Sequence, residues 1–147
     1  MRPGQKQVIQ NVLDRRDTLA IMPTGGGKSL CYQLPALSLP GTTLVVSPLI
    51  SLMKDQVEKL EEIGVEASQV NSSLDAQEEA EALENLSQDR NDIVFVMPER
   101  LADPEFIARL QNLTVSLFVV DEAHCMKRQE QHRNTKNAMY ESAQWPA

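Results

Sequence analysis

The sequence predicts an α/β fold in which a parallel sheet is flanked by helices. Short β-branched runs alternate with longer amphipathic stretches from Thr18 to Asp121, and parallel sheets with crossover helices produce this pattern. Each run is nearly all apolar, as expected of a strand that helices cover on both faces. With 147 residues, 41% of them hydrophobic, the chain is long enough to form one domain around one core.

Strands and helices are predicted in alternation along the chain. The strand candidates are Thr18–Met22, Thr42–Ser47, Ile93–Met97 and Val115–Val120, with a weaker one around Val65–Val70. Apolar residues at helical spacing predict helices from Gln5 to Arg16, from Leu49 to Ile63, from about Asp75 through Leu86, and from Pro104 to Asn112. Gly64 is expected to end the second of these helices, and Asp75 with Glu78 forms a capping-box pattern at the start of the third.

The net charge of −7 does not exclude a nucleic-acid partner. Ten of the 21 acidic residues lie between Glu58 and Asp89, so the rest of the chain is close to neutral. That remainder could carry a local basic surface for a phosphate backbone.

Cysteine usage and hydropathy narrow the class of protein further. The two cysteines, Cys31 and Cys125, are far apart and form no CxxC pattern, so neither a disulfide framework nor a four-ligand zinc site is expected from them. No apolar run approaches the length of a membrane span. We therefore expect a soluble intracellular protein without a membrane partner, cytoplasmic or, if the source is eukaryotic, nuclear.

The strongest chemical signal is the run from Pro23 to Ser29. Three glycines allow backbone N–H groups to converge on phosphate oxygens, and the following helix presents its positive N-terminus. Lys28 is expected to reach the β- and γ-phosphates of ATP, and the Ser29 hydroxyl to bind Mg²⁺. The predicted nucleotide-binding residues of this loop are Thr24, Gly25, Gly26, Gly27, Lys28 and Ser29.

A second signal, Asp121-Glu122-Ala123-His124, follows the apolar run Val115–Val120. An acid at the carboxyl end of a buried parallel strand is expected to lie beside the phosphate loop. Asp121 is then placed to hold Mg²⁺, and Glu122 to orient or deprotonate the attacking water. The catalytic candidates in the two motifs are Lys28, Asp121 and Glu122.

These two motifs resemble motifs I and II of superfamily 2 helicases. Two longer phrases, Met22–Gln33 and Val46–Gln56, look specifically like the RecQ type, and Cys125 after the DEAH agrees. The resemblance implies a P-loop, RecA-like helicase lobe over residues 1–125, incomplete at its end. Residues 126–147 contain no Leu, Ile, Val or Phe and are predicted to be a polar tail that is either disordered or unrelated to the family.

The resemblance also implies roles that the residues alone would not assign. Arg2 and Gln5 look like the end of an adenine-reading motif, in which Gln5 bonds the base edge. His124 resembles a relay between the γ-phosphate and the nucleic acid, so the resemblance makes it a further catalytic candidate. The residues similar to those that contact the nucleic-acid backbone are Ser47, Pro48, Ser51, Lys54, Pro98 and Glu99. Cys31 and Tyr32 are expected to pack beneath the phosphate loop.

The implied function is ATP- and Mg²⁺-dependent 3′–5′ unwinding of DNA for recombination and repair, with single-stranded and duplex DNA as partners. The sequence departs from the family after Cys125, where Met126-Lys127-Arg128 replaces an aromatic-rich loop, and a second RecA-like lobe is not included. A non-catalytic fragment that binds nucleotide and DNA without turnover is therefore one alternative. A small P-loop kinase is another, disfavoured because it has no use for the two nucleic-acid phrases.

Overall fold

Four parallel strands form one sheet in the computed structural model, which describes residues 1–23, 25–71, 74–87 and 93–125. The strands are β1 (Thr42–Val46), β2 (Ala67–Val70), β3 (Ile93–Val96) and β4 (Val115–Val120). Their spatial order is β2-β3-β1-β4, and every neighbouring pair is parallel. The predicted fold class is confirmed.

Helices connect the strands and cover both faces of the sheet. They are α1 (Gln5–Leu13), α2 (Leu30–Ser38), α3 (Ile50–Glu62), α4 (Ala76–Ser87) and α5 (Pro104–Gln111), with short 3₁₀ helices at Pro98–Ala102 and Ala123–Cys125. Helices α3, α4 and α5 each join one strand to the next in sequence, as parallel pairing requires. Helix α1 is shorter than predicted because the chain turns at Arg15, whose φ is 57°.

The prediction of a strand at Thr18–Met22 is wrong. These residues have no strand assignment, and Leu19 and Ile21 are 87% and 92% exposed. A β-branched pattern favours an extended backbone, but a strand also needs a hydrogen-bonded neighbour. Within the described residues the sheet ends at β4, and no pairing joins this segment to it. The phosphate loop therefore follows a segment that pairs with no strand of the described sheet.

The core lies on both faces of the sheet because alternate strand residues point in opposite directions. Val45 and Phe95 pack against Met53 of α3 on one face, with Tyr32 of α2 in the same cluster. On the other face, Val46 belongs to a cluster that includes Phe106 of α5. The sheet is thereby held between α2 and α3 on one side and α4 and α5 on the other.

Two predicted helix ends are confirmed. Gly64 follows α3 with a φ of 80°, and its N–H donates to the Glu61 carbonyl at 2.9 Å. Before α4, the Asp75 carboxylate accepts from the Glu78 N–H at 2.8 Å, and the Glu78 carboxylate accepts from the Asp75 N–H at 3.0 Å. This reciprocal pair satisfies donors that a helix N-terminus leaves free.

Three strands bring their carboxyl ends to one place. The Asp121 N–H donates to the Val46 carbonyl at 2.9 Å, and the Ser47 N–H donates to the Val96 carbonyl at 3.1 Å. The residues that follow β4, β1 and β3 are therefore side by side. Ligands of open parallel sheets bind at this edge.

Thr24 and the predicted tail, Met126–Ala147, lie outside the described residues. The domain boundary at Cys125 therefore remains a prediction.

The Asp75→Ala variant tests the capping box. We expect it to lower the free energy of unfolding by about 1 kcal/mol, because the first turn of α4 loses a side-chain acceptor. Glu81→Ala is the matched control, since it removes an exposed acid from the same helix. Chemical denaturation of both variants gives the comparison, and equal losses would show that the box contributes nothing specific.

Candidate nucleotide-binding site

The phosphate loop has the backbone shape that its glycines permit. Gly25 and Gly27 have φ values of 74° and 73°, in the left-handed region that disfavours residues with a Cβ atom. The Gly26 N–H donates to the Pro23 carbonyl at 2.9 Å, which closes the turn. Helix α2 begins at Leu30, so Lys28 and Ser29 stand at its N-terminus. Anions bind at such a position because unpaired N–H groups and the helix dipole meet there.

The loop is also packed too closely for larger residues. A Cβ atom at Gly26 would lie 2.7 Å from the Pro23 carbonyl oxygen. At Gly27, a Cβ atom would collide with the Gln5 side-chain amide. Space therefore requires glycine at position 26, and a larger residue at position 27 would have to displace the Gln5 amide.

Gln5 reaches the loop from α1. It is 3% exposed, and its Nε2 donates to the carbonyls of Gly26 at 3.2 Å and Gly27 at 3.0 Å. Its Oε1 accepts from the Arg2 N–H at 2.6 Å, and the Arg2 guanidinium donates to the Gly25 carbonyl. Arg2 and Gln5 thus lie against the phosphate loop. Their contact with adenine remains a prediction.

The acidic motif meets the phosphate loop at the end of β4. Lys28 Nζ lies 3.1 Å from Glu122 Oε1, and His124 Nε2 lies 3.3 Å from Glu122 Oε2. Glu122 has a φ of 51°, unusual for a residue other than glycine, and its N–H donates to Asp121 Oδ1 at 2.8 Å. Lys28, Glu122 and His124 form one continuous group of charged and polar side chains.

Tyr32 makes a contact that the sequence did not predict. Its hydroxyl donates to Asp121 Oδ2 at 3.2 Å. Burial, and then the charges of Asp121 and Glu122, raise the pKa of Tyr32 far above its ordinary value. The phenol therefore stays protonated as a donor. A tyrosine three residues after Ser29 could have suggested a contact with this edge, but its partner is 89 residues away in sequence.

Cys31 is buried beside the loop, as expected. Its Sγ lies 3.8 Å from Met22 Sδ and 4.0 Å from the Gly27 carbonyl oxygen. Burial raises the pKa of the thiol, which favours its neutral form. Cys31 therefore fills space beneath the loop.

The residues similar to nucleic-acid contacts follow β1 and β3. Ser51 is exposed at the start of α3, and Lys54 is exposed one turn later, with its Nζ 3.9 Å from Glu58. Ser47 differs, since its side chain is 1% exposed and its Oγ has no hydrogen-bond partner among the described residues. Ser47 is therefore less accessible to a partner than Ser51 and Lys54 are.

The second of these segments is half-buried. Pro98 is partly covered and Glu99 is exposed within the 3₁₀ helix that follows β3. Arg100, the next residue, pairs with Glu79 and Asp103. Its guanidinium also lies 5.8 Å from the centre of the Phe106 ring. Arg100 therefore ties this segment to α4 and α5.

The oxygen atoms of Ser29 and Asp121 suit a Mg²⁺ ion that also binds phosphate oxygens. The Ser29 hydroxyl and the Asp121 carboxylate are oxygen donors, which Mg²⁺ prefers, and it commonly binds few protein groups beside substrate phosphates. Across the described ranges, no three His, Cys, Asp or Glu side chains cluster as metal ligands. The same ranges contain no helix long and apolar enough to cross a membrane.

Comparison with known proteins identifies the family. The model of the DEAD/DEAH box helicase family matches residues 2–144. The chain belongs to the DEAD/DEAH box helicases. The family model runs past Cys125, into the segment predicted to be a tail.

Individual DEAD/DEAH box helicases are similar over most of this chain. The chain is 51% identical to ATP-dependent DNA helicase RecQ of Bacillus subtilis. The aligned region covers 86% of this chain and 22% of that helicase. The chain is 46% identical to the probable ATP-dependent DNA helicase RecS of the same organism, over 85% of the chain and 25% of that protein. ATP-dependent DNA helicase Q-like 5 of Arabidopsis thaliana is 48% identical over 85% of the chain and 14% of its own length. The resemblance to RecQ helicases is confirmed, and the chain spans a quarter or less of these relatives.

The Gly27→Ala variant tests the close approach of Gln5. Gly25→Ala is the matched control, because Gly25 has a similar φ but open space around its Cβ position. Both variants should lose about 1–2 kcal/mol from the left-handed backbone. Gly27→Ala should lose roughly 1–3 kcal/mol more from overpacking, as measured by chemical denaturation.

A double-mutant cycle isolates the cause of that difference. In a Gln5→Ala background the colliding amide is gone, so the extra loss at Gly27 should disappear. An extra loss that persists without the amide would rule out Gln5 as its source.

Proposed function

We propose that this chain is the ATP-binding lobe of a RecQ-type DNA helicase that unwinds DNA 3′ to 5′ with ATP and Mg²⁺. The observation that carries the proposal is the meeting of Lys28 and Glu122 at 3.1 Å. It joins a phosphate loop to an acidic pair at the carboxyl edge of a parallel sheet, where helix N-termini and strand ends can hold a nucleotide. The similarity to proteins named RecQ and RecS supports the finer assignment.

Each proposed role follows from a position at this edge. Lys28, two residues before α2, binds the β- and γ-phosphates, and the N–H groups of Gly25 and Gly27 bind their oxygens. The Gly26 N–H instead donates to the Pro23 carbonyl and holds the turn. Ser29 and Asp121 hold Mg²⁺, which when bound neutralises developing phosphate charge. Gln5 and Arg2, already at the loop, bind the adenine side of the nucleotide.

Glu122 is the proposed base or water-orienting residue. Its two carboxylate oxygens contact Lys28 and His124 in this structure. For Glu122 to serve a water molecule, Lys28 has to exchange that carboxylate for phosphate oxygens. Nucleotide binding thus frees the Glu122 carboxylate from Lys28. General-base assistance by such a carboxylate contributes roughly 10²–10⁴-fold in rate. His124, on the other oxygen, is placed to pass that change toward the nucleic-acid side.

The nucleic-acid surface proposed for this lobe lies beside the nucleotide site. Ser51 and Lys54 on α3, with Pro48, Pro98 and Glu99, follow the two central strands and lie at the same edge of the sheet. Backbone N–H groups and hydroxyls at helix starts bind phosphates without reading sequence. Such contacts fit a motor that moves along DNA of any sequence.

The Lys28→Ala variant tests the nucleotide site. We expect binding of a fluorescent ATP analogue with Mg²⁺ to weaken at least roughly tenfold, because a charged hydrogen-bond donor to phosphate is lost. Lys6→Ala, which removes an exposed lysine from α1, should bind as the wild type does. Equal binding by all three proteins, or none by the wild type, would refute the proposed site.

Hydrolysis separates the motor from the non-catalytic alternative. Mg²⁺-dependent ATP turnover that rises with single-stranded DNA and vanishes in Lys28→Ala would support coupling within this chain. Nucleotide binding without turnover would favour a fragment that binds but does not hydrolyse.

The Lys54→Ala variant tests the DNA surface. A lysine on a phosphate contributes to the salt dependence of binding, so its loss should reduce the slope of log K against log salt by about 0.7 for single strands. Lys59→Ala, further along the same helix, is the matched control and should leave the slope unchanged. Fluorescence anisotropy of labelled single-stranded DNA at several salt concentrations gives both slopes. Equal slopes in the two variants would exclude Lys54 from the interface.

A further inference from the structure

Tyr32 is a buried polar side chain to which the proposed function gives no role. It lies on α2, within the apolar cluster that packs α2 and α3 on the sheet, and is 6% exposed. Its hydroxyl donates to Asp121 Oδ2 at 3.2 Å. A phenylalanine would fill the same space without this bond. The hydroxyl therefore needs an explanation apart from packing.

The hydrogen bond completes the support of the Asp121 carboxylate. Oδ1 accepts from the Glu122 N–H at 2.8 Å, and Oδ2 accepts from Tyr32. With a donor on each oxygen, the carboxylate cannot rotate about its Cβ–Cγ bond without breaking one of the two bonds. Each oxygen still keeps a lone pair for another partner.

Tyr32 also links Asp121 to Ser29 through one turn of helix. The Tyr32 N–H donates to the Ser29 carbonyl at 3.2 Å. The two oxygen donors proposed for Mg²⁺ come from distant parts of the chain, and this short path of hydrogen bonds connects them. Loss of a group that orients a metal ligand typically lowers metal affinity or activity about 10–100-fold.

We propose that Tyr32 is a positioning residue, whose hydroxyl fixes the Asp121 carboxylate in the orientation that binds Mg²⁺ together with Ser29. The inference rests on the proposed function, since it concerns the same nucleotide site. It assigns no contact between Tyr32 and nucleotide or metal. Tyr32 acts through Asp121 alone.

The Tyr32→Phe variant separates this role from packing. We expect affinity for Mn²⁺, used in place of Mg²⁺ and followed by electron paramagnetic resonance with adenylyl imidodiphosphate, to fall roughly tenfold. Affinity for the nucleotide in excess EDTA should not change, because the phosphate loop is intact. Equal Mn²⁺ affinities in variant and wild type would overturn the inference. So would parallel losses in both assays, which would indicate a structural role.

The second tyrosine of the chain provides a matched control. The sequence contains two tyrosines, and Tyr140→Phe makes the same chemical change at the other one. It should leave the Mn²⁺ affinity unaltered. An equal loss of affinity in Tyr140→Phe would mean that the effect is not specific to the bond with Asp121.

A measurement that leaves Tyr32 in place keeps the test independent of the folding of Tyr32→Phe. Labelling with 3-fluorotyrosine gives one ¹⁹F resonance for each tyrosine, and Tyr140→Phe assigns that of Tyr32. The Tyr32 resonance should shift when Mg²⁺ is added to the nucleotide complex, since its acceptor oxygen then gains a cation. No shift on metal binding would contradict the proposal.

The outcomes separate this inference from the proposed function. A wild-type chain that binds neither nucleotide nor Mn²⁺ would refute both. A wild-type chain that binds both, with Tyr32→Phe identical to it, would refute the positioning role and leave the nucleotide site standing.

Discussion

The packing of α2 against the carboxyl end of β4 is the constraint on which the site depends. Lys28 and Ser29 directly precede the helix and Asp121 and Glu122 directly follow the strand, so the chemistry proposed for them requires the two elements to keep one relative position. An apolar cluster packs α2 on the sheet, and the contacts of Tyr32 with Asp121 and of Lys28 with Glu122 orient the side chains. Hydrophobic burial alone is non-directional, so polar contacts are needed to fix side-chain orientation.

Local patterns predicted much of the fold. The strands β1, β3 and β4 were found from β-branched runs, and the helix ends at Gly64 and Asp75 from capping chemistry, because these signals lie within a few residues of one another. The strand prediction for Thr18–Met22 is wrong because the residue pattern is that of a strand, while pairing depends on a neighbour that sequence alone does not place. The prediction for α1 is three residues too long, because the sequence does not reveal the turn at Arg15.

The sequence predicted that the phosphate loop and the acidic motif lie together, but not which side chains make contact. Motif spacing identified Lys28 and Glu122, and the parallel sheet explains why they meet. Two contacts depend on tertiary packing, so no local sequence pattern predicts them. They are the hydrogen bond from Tyr32 to Asp121 and the hydrogen bonds from the Gln5 amide to the loop carbonyls. Ser47 shows the reverse case. Its motif resembles a nucleic-acid contact, yet its position directly after a central strand buries it. The DNA contacts remain predictions.

The backbone of Glu122 has a consequence for how this site can evolve. A left-handed φ of 51° costs a non-glycine residue about 1–2 kcal/mol, and glycine or asparagine would adopt it more readily. Either replacement would relieve strain and remove the carboxylate proposed as the base. Selection for stability alone would thus drive the chain away from a glutamate here, and retaining it requires selection for what the carboxylate does. A more stable descendant with Gly or Asn at this position would keep the phosphate loop and lack the carboxylate proposed as the base.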